Sequence, residues 1–387
     1  MNKIIYIFFT ILIVLYVFLI LYIKLSHPFW FKQPVNHLYA FYNLFRSGVI
    51  RKNLPCNNKY CNHINVITNE YVKTDEDIIN QMVILIQKHY LVNKDVVYKP
   101  TKDTIINYLI NHNQSCYITT YQISKKYMEA KEIKTKNEVL GVITGRPLSF
   151  NAFHKNIFLN MYYVDFLCVD TKHRGKNIAP SLIQTHEYNA RRKNEKIEVS
   201  FFKRESEITF IKPFVQFSCT MFKNDFPVVE LHNKYKYVVI SKDNFDLYVH
   251  FMNNIVNSIY YYITCDYTNL LTLINSKQII IYAVMIDNTI IHMYFFKNGD
   301  YYYNNELAIE CFGSISGSNK IEFNQNFLNV LHLLPYKYLY LEHISYNEIL
   351  YNNLKSYDNL EFITKSSYYF YNYIHKTVSS KDVLIVI

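Results

Sequence analysis

The stretch Tyr163–Ile183, with the sequence YVDFLCVDTKHRGKNIAPSLI, decides the fold. An apolar strand ending near Val169 passes through a basic turn at 174–177 into a helix that begins near Ala179 and Pro180. The backbone N–H groups of a first helical turn have no internal partners, a proline is tolerated there, and the helix dipole favours an anion. The turn therefore predicts a phosphate-binding site.

The composition limits the class of protein. Half of the 387 residues are apolar, so the chain can bury a large core, as about two or three domains or as one fold of two similar halves. The net charge of +10 comes from scattered basic residues without a nucleic-acid-binding motif, so we expect no nucleic-acid partner. The seven cysteines are odd in number and dispersed, which indicates a reducing compartment.

The N-terminus predicts a membrane anchor. Residues 4–23, IIYIFFTILIVLYVFLILYI, carry no charge and have the ~20-residue length that a helix needs to cross a bilayer. We therefore predict a single-pass anchor at residues 1–26. A cleaved signal peptide is the alternative, but its apolar region is usually only ~7–15 residues long. Because only Lys3 precedes the span, whereas 24–69 hold basic residues and no acidic one, the positive-inside rule places the folded domain in the cytosol.

Other side chains that could act as metal ligands or nucleophiles are weaker candidates for a functional site. Cys56, Cys61 and His63 could supply zinc ligands, but their spacing is loose and no second pair follows, so no metal is predicted. Cys168 lies on the predicted strand, where a small buried hydrophobic residue is favoured over a nucleophile that forms an acyl-enzyme. His186 and Glu187 are expected on a solvated face of the helix that follows.

Hydrophobic periodicity predicts an α/β fold in two similar halves. The first half has predicted helices at 76–89, 101–111 and 179–192 and strands at 116–123, 138–144 and 161–169, with a Lys-rich hairpin loop between the first two strands. The second half has predicted strands at 236–240, 279–286, 289–296, 337–344, 366–373 and 383–387 and helices at 244–258 and 347–355. We expect an internal duplication that forms one saddle-shaped sheet. Residues 24–70 are expected to be irregular, with 27–35 extended between prolines.

Four segments resemble one known family. The string FLCVDTKHRGKNIAPSLI at 166–183 resembles the FLCVHKKLRSKRLAPVLI signature of the eukaryotic protein N-myristoyltransferases. Its turn is also close to the pyrophosphate loop of the Gcn5-related acetyltransferases, which has glycine where this chain has Asn177. FWFKQPV at 29–35 resembles the family's FWDTQPV, YYFYNY at 368–373 its YYLYNW, and the terminal KDVLIVI its KVGLVLQ. These segments, in matching order, span residues 29–387.

The resemblance implies a duplicated Gcn5-related acetyltransferase-like fold that transfers myristate from myristoyl-CoA to the N-terminal glycine of a protein. The backbone amides of Phe166 and Leu167 would form the oxyanion hole, and the terminal carboxylate of Ile387 would act as the base. Residues implied to hold the acyl-CoA are Phe29, Trp30, Gln33, Arg174, Gly175, Lys176, Asn177, Ile178 and Ala179. Those implied to contact the peptide are Tyr90, Phe201, Tyr369 and Tyr371.

The same resemblance divides the chain after the anchor. Residues 27–70 would form an extended arm at the acyl-CoA site. Residues 71–230 would form the acyl-CoA-binding half, and residues 231–387 the half that binds the peptide and supplies the catalytic C-terminus. The expected partners are myristoyl-CoA as co-substrate, glycine-starting peptides of substrate proteins and the membrane. No other cofactor is implied, and we expect a monomer.

Departures from the family pattern concern the acceptor. Asn93, Lys94 and Asp95 stand in place of an acidic loop, so attraction for basic peptide residues is expected to be largely lost. Phe201–Arg204 replace a Tyr-Thr-Ala-Gly stretch, and 362–367 replace a glycine-rich approach. Two alternatives therefore stay open. One is a catalytically inactive membrane relative that binds acyl-CoA or a partner. The other is a different acyl-CoA-dependent N-acyltransferase.

Overall fold

The computed structural model describes residues 2–91, 96–129, 132–205, 208, 210–230, 234–255, 259–317 and 319–387. Its helices are α1 Asn2–Ser26, α2 Pro28–Phe31, α3 Glu76–His89, α4 Lys102–Asn107, α5 Ile178–Lys193, α6 Phe245–Ile255, α7 Tyr267–Asn275, α8 Lys320–His332 and α9 Asn347–Leu354. Its strands are β1 Gly48–Val49, β2 Val66–Glu70, β3 Val96–Tyr98, β4 Tyr117–Glu129, β5 Glu132–Ala152, β6 Ile157–Val169, β7 Val199–Glu205, β8 Val215–Lys223, β9 Lys236–Val239, β10 Tyr261–Thr264, β11 Ile279–Ile286, β12 Thr289–Tyr303, β13 Glu306–Ser316, β14 Tyr338–Glu342, β15 Leu360–Tyr371, β16 Tyr373–Ile374 and β17 Val383–Val386.

One mixed sheet runs through the whole fold. Its strands follow the order β17-β10-β5-β6-β7-β15-β8-β14-β13-β12-β11-β9, with β4 also beside β5, β2 beside β4 and β3 beside β12. The C-terminal strand β17 pairs in parallel with β10, which in turn pairs with β5. The last residues of the chain are therefore held against strands from the first half.

The order of elements repeats. In the first half, β4, β5 and β6 are antiparallel neighbours, α5 follows, and β7 returns parallel to β6. In the second half, β11, β12 and β13 are antiparallel, α8 follows, and β14 returns parallel to β13. Each half then gives its last strand to the other, because β8 pairs with β14 and β15 pairs with β7. The duplicated α/β fold expected from the sequence is confirmed.

Aromatic side chains fill the core between the two halves. Phe150, Phe201, Phe214 and Phe370, from four different strands or their flanks, are all nearly inaccessible to solvent. The ring centroids of Phe214 and Phe370 lie 5.0 Å apart, and those of Phe150 and Phe370 lie 5.3 Å apart at right angles. Such edge-to-face pairs stabilise a core by roughly 0.5–1.5 kcal/mol each beyond the burial of their surface.

Two local expectations were wrong. The Lys-rich segment between the predicted strands is not a loop, because β4 and β5 stay paired as far as Glu129 and Glu132, and Lys125 forms an ion pair with Glu138 across them. The segment at 27–35 is not extended, since Pro28 begins the short helix α2. A proline suits the first turn of a helix because the missing N–H would have no partner there.

Among the described residues, one helix is long and apolar enough to cross a membrane, namely Lys3–Ser26. Its apolar side chains, such as Ile4, Phe9 and Phe18, point away from the folded domain and are exposed. Only Tyr16, Ile20 and Ile23, which share one helical face, are partly or fully covered. A signal sequence near the N-terminus can meet the same criterion of length and composition.

The start of α9 bridges β13 and β14 where they diverge. The Asn347 side chain is fully buried and donates from Nδ2 to the carbonyl oxygens of Cys311, at 3.0 Å, and Glu342, at 2.7 Å. Its Oδ1 accepts a hydrogen bond from Ser314 Oγ.

We predict that Asn347→Ala lowers the free energy of unfolding by about 3 kcal/mol, because two buried carbonyl groups lose their donor. Chemical denaturation of the full chain in detergent measures this. Asn352→Ala, at an exposed position of the same helix, is the control and should change the value by less than about 0.5 kcal/mol. Equal losses in the two variants would contradict a bridging role for Asn347.

Candidate active site

The turn before α5 adopts an unusual backbone. Gly175 and Asn177 both have positive φ, of 80° and 59°. Asparagine tolerates this left-handed conformation better than most residues, which explains how it stands where the acetyltransferase pattern has glycine. The first helical hydrogen bond runs from Ser181 N to Asn177 O, so the preceding amides face away from the helix.

A cavity of about 420 Å³ lies against this turn. Arg174, Ile178 and Ala179 line it together with Gly175 and Asn177. Lys176 is exposed and is not part of the lining. Arg174 is also held by the protein, since its guanidinium donates to the carbonyl oxygens of His89 and Val169. The lining residues of this cavity are Leu167, Val169, His173, Arg174, Gly175, Asn177, Ile178, Ala179 and Pro180.

Strand β6 separates from β7 near its C-terminal end, and its ladder with β5 is interrupted there. Its parallel ladder with β7 covers only Met161–Tyr163, and β7 then continues beside β15. Its ladder with β5 is interrupted by a bulge, in which Phe166 and Leu167 have no paired residue. Phe166 has a φ of 50°, which is rare for an aromatic residue and marks a locally strained turn in the strand.

A second cavity, of about 380 Å³, fills the opening between β6 and β7 and is called the acyl cavity below. Leu167 lines both this cavity and the one at the turn, so the two adjoin there. Most of the exposed lining is apolar. Its lining residues are Trp30, Tyr90, Leu91, Ile143, Val164, Asp165, Phe166, Leu167, Ile183, His186, Glu187, Ser200, Phe202, Lys203, Arg204, Glu205, Ile208 and Tyr371.

The face of α5 that carries His186 and Glu187 is buried, which corrects the expectation of a solvated face. The His186 Nδ1 lies 2.8 Å from the hydroxyl of Thr119, and burial lowers the pKa of His186 to about 4. Burial raises the pKa of Glu187 to about 7, although Arg191, 3.9 Å away, favours its ionised form. Helical spacing alone did not predict this burial, because the strands that cover this face of α5, β4 and β5, come from another part of the chain.

The arm after α1 closes one side of the acyl cavity. Trp30 lines it and stacks on Phe202 at a centroid distance of 6.1 Å. Gln33 is buried behind it, accepts a 2.6 Å hydrogen bond from the Tyr371 hydroxyl and donates to Gln184. Phe29 is buried as well and packs edge-to-face on Trp30. The arm and β15 therefore position each other.

A third cavity, of about 110 Å³, adjoins the acyl cavity on the side of the chain terminus and is called the acceptor cavity below. Ile387 is buried and lines it. Tyr90 and Asp165 line both cavities, and the Tyr90 hydroxyl donates to Asp165 Oδ1 at 3.0 Å. The same oxygen accepts a 2.8 Å hydrogen bond from the backbone N–H of Phe166. The lining residues of the acceptor cavity are Tyr90, Leu91, Tyr163, Asp165, Lys203, Glu205, Lys297, Tyr301, Glu310, Phe312, Glu342, Tyr368, Ile385 and Ile387.

Carboxylates outnumber lysines in the acceptor cavity. Its lining contains four acidic residues and two lysines. Lys203 forms an ion pair with Glu342 and lies 3.8 Å from Glu310. Burial raises the pKa of Glu342 to about 8, with Lys203 opposing and Glu310 adding to the shift. For Glu310, Lys203 and Lys297 outweigh burial and lower the pKa.

Some predicted residues lie outside the cavities. Phe201 and Tyr369 are completely buried, where Phe201 stacks on Tyr368 and Tyr369 stacks on Phe202. Asn93, Lys94 and Asp95 lie outside the described residues. No group of three or more histidine, cysteine or acidic residues that could hold a metal occurs among the described residues. Burial raises the pKa of Cys168 to about 12, so its thiol is not activated.

Sequence reasoning missed most of the charged lining. The sequence predicts no role for Asp165, and it marks Lys203 only as part of the stretch that departs from the family pattern. Glu310 and Glu342 carry no signal in the sequence, because each lies in an apolar strand of the second half, and Lys203, which faces both of them, comes from the first half and meets them only in the folded chain.

The fold matches that of known structures. Solved structures of Saccharomyces cerevisiae N-myristoyltransferase with bound myristoyl-CoA share the fold, one with a TM-score of 0.71 at 13% identity over 92% of this chain and 89% of that one. A structure of the same yeast enzyme with myristoyl-CoA and inhibitors has a TM-score of 0.68 at 13% identity, over 94% and 95%. A comparison with curated protein sequences finds no significant match.

Part of the first half matches a known family. Residues 63–206 match the family model described as myristoyl-CoA:protein N-myristoyltransferase, N-terminal domain. The matched region contains the β6 bulge and the turn before α5. Over residues 63–206 the chain therefore matches the N-terminal domain of the N-myristoyltransferase family, in agreement with the resemblance.

We predict that Glu187 makes a contribution to stability that is lost as the pH rises from about 4.5 to about 7. Its raised pKa means that the folded state retains a proton that the unfolded state releases. Glu187→Gln should remove a contribution on the order of 3 kcal/mol across this range.

Thermal unfolding of the wild type and the variant at a series of pH values measures this contribution. Glu195→Gln removes an exposed carboxyl just beyond the same helix and is the matched control. Parallel pH profiles for Glu187→Gln and the wild type would contradict the assignment.

Proposed function

We propose that the protein is a glycylpeptide N-myristoyltransferase that transfers myristate from myristoyl-CoA to the N-terminal glycine of proteins. The observation that carries the proposal is the meeting of the acyl and acceptor cavities at Tyr90 and Asp165, with the chain terminus lining the second of them. An acyl donor and an amine acceptor could approach each other at this one point.

The donor would occupy the two adjoining cavities on the α5 side. The CoA phosphates would lie against the turn at 174–179, where backbone amides and the positive end of the helix dipole favour anions. The acyl chain would fill the apolar acyl cavity between β6 and β7. This arrangement places the thioester beside Leu167, which lines both cavities.

The transfer requires a free amine and a stabilised oxyanion. The terminal carboxylate of Ile387 would take a proton from the glycine ammonium, and the amine would then attack the thioester carbonyl. A C–N bond forms, the C–S bond breaks, and CoA leaves as the thiol with the proton that the attacking nitrogen loses. The amides of Phe166 and Leu167 would stabilise the negative oxygen, with the donor carbonyl replacing Asp165 as the acceptor for Phe166 N–H.

The acceptor cavity suits an ammonium group. Its excess of carboxylates, including Glu310 and Asp165, attracts a cation into a partly desolvated site. This negative charge would replace part of the attraction for a basic peptide that is missing at residues 93–95. The helix α1 would anchor the enzyme to a membrane, with its folded domain in the cytosol and in contact with its amphipathic donor.

Incubation of the full chain in detergent with labelled myristoyl-CoA and a library of glycine-starting peptides tests the activity. We expect label on the peptide N-terminus, and none on peptides whose glycine is N-acetylated. Binding of myristoyl-CoA without transfer to any peptide would overturn the proposal.

Extension of the chain by one residue after Ile387 tests the base. The added residue moves the carboxylate away from the acceptor cavity, so we predict a loss of at least about 100-fold in kcat, typical of a lost general base. The affinity for myristoyl-CoA, measured by calorimetry, should stay within about twofold of the wild type, because the donor cavities are unchanged. An unchanged kcat would exclude the terminal carboxylate as the base.

An inactive relative that binds acyl-CoA is the second candidate. The observation that favours it is the hydrogen bond from Phe166 N–H to Asp165, which occupies an amide needed for the oxyanion. In that case, the extended chain and the wild type would bind myristoyl-CoA equally and neither would transfer it.

A further inference from the structure

The segment Leu38–Phe45, called the aromatic loop below, has inverted polarity. Its polar Asn43 is buried and donates to the buried Asn36, whereas four of its large apolar or aromatic side chains are exposed. Phe41 is 55% exposed and Phe45 is 91% exposed, and Leu38 and Tyr42 are also exposed. Water disfavours such an arrangement, but a lipid phase favours it.

The aromatic loop packs directly against the candidate membrane helix. The Tyr16 hydroxyl donates to the carbonyl oxygen of Tyr39 at 2.8 Å, and the rings of Tyr16 and Phe41 lie 5.4 Å apart. The loop is also tied to the folded domain, because Leu38 N–H donates to the carbonyl oxygen of Phe210. The loop is therefore fixed between α1 and the domain.

The position of Tyr16 gives the depth of the aromatic loop. Residues 4–23 are uncharged, and at 1.5 Å per residue they match a hydrocarbon core of about 30 Å. Tyr16 lies seven residues before Ile23, or about 10 Å along the helix. Apolar faces of interfacial segments enter the boundary between headgroups and acyl chains by about 5–10 Å.

The charges around the loop agree with a lipid surface. Lys24, Lys32, Arg46 and Arg51 are exposed, and no acidic residue lies between the helix and Glu70. Basic residues at this level attract anionic headgroups. Arg46 also lies over the Tyr42 ring, with its guanidinium 5.2 Å from the ring centroid, so the charge and the exposed aromatic face share one surface.

The base of α1 also touches the wall of the acyl cavity. Ile23 is buried in a cluster with Ile208 and Tyr371, and with Trp30 and Phe202 at its edge. These last four residues line the acyl cavity. The ring of His27 stacks on that of Phe210 at a centroid distance of 4.2 Å, which holds the end of the helix in place.

We propose that the aromatic loop is a second membrane contact, embedded in the headgroup region beside α1, and that it places the Trp30 wall of the acyl cavity against the lipid. A long acyl chain could then pass between the bilayer and the cavity without crossing water. The membrane placement is independent of the proposed function, whereas the passage of the acyl chain rests on it.

The single tryptophan of the chain, Trp30, makes the placement measurable. The full chain is reconstituted in phosphatidylcholine and phosphatidylserine vesicles whose acyl chains carry bromine near the headgroup. We expect brominated lipid to quench most of the Trp30 emission and aqueous acrylamide to quench little of it. Emission that acrylamide quenches and brominated lipid does not would overturn the proposal.

A pair of variants tests the loop itself. In a Trp30→Phe background, Phe45→Trp places the only tryptophan in the aromatic loop, and Ile321→Trp places it on α8, at another exposed apolar position. Brominated lipid should quench the first strongly and the second weakly. Equal quenching in the two variants would contradict a specific lipid contact.

Two further results complete the test. If the tryptophan of the Phe45→Trp variant is protected from both quenchers, protein such as a second copy of the chain covers the loop, and this would also refute the proposal. Neither experiment requires turnover. If no peptide is acylated but brominated lipid still quenches the tryptophan, the enzyme activity is rejected and the membrane placement is retained. If peptides are acylated but brominated lipid does not quench, the membrane placement is rejected and the enzyme activity is retained.

Discussion

Strand β7 pairs with two neighbouring strands that belong to different halves of the fold. It pairs with β6 for three residues and with β15 for six. Because β15 comes from the second half, β7 follows it away from β6, and the sheet opens. The acyl cavity occupies this opening, so the exchange of strands between the halves creates the site and also holds it together.

The bulge in β6 places polar groups at that opening. It removes Phe166 and Leu167 from the ladder with β5 and sets Asp165 between the acyl and acceptor cavities. The strain of a positive φ at Phe166 is offset by the hydrogen bond that its amide donates to Asp165. The terminal strand β17 then brings Ile387 to the same place by pairing with β10.

The N-terminal helix and the candidate site are parts of one structure. Ile23 at the base of α1 packs in the cluster whose other members, such as Tyr371 and Ile208, line the acyl cavity. A membrane helix joined to its domain by a long flexible linker would leave the cavity free to face any direction. Here the short connection through α2 sets the orientation of the cavity relative to the helix.

Local sequence patterns were sufficient for many of the elements and for the turn before α5, but they did not indicate β8, β13, α7 or α8. The apolar run at 4–23, the strand and helix on either side of the turn, and the positions of Arg174–Ala179 depend on contacts between residues close in the chain. Periodicity and turn chemistry report such contacts. The family motif of the first half lies in the continuous stretch of strand, turn and helix, which is why the resemblance could be recognised there.

Tertiary structure alone decided the acceptor side. Lys203, Glu310 and Glu342 come from three strands far apart in sequence, and β8, β14 and β15 bring them together only after the halves exchange strands. The burial of His186 and Glu187 likewise depends on strands that cover α5. Burial and charge pairing between distant segments have no periodic signature, so the sequence determined which elements form, and the packing of those elements determined which charged groups face the reaction.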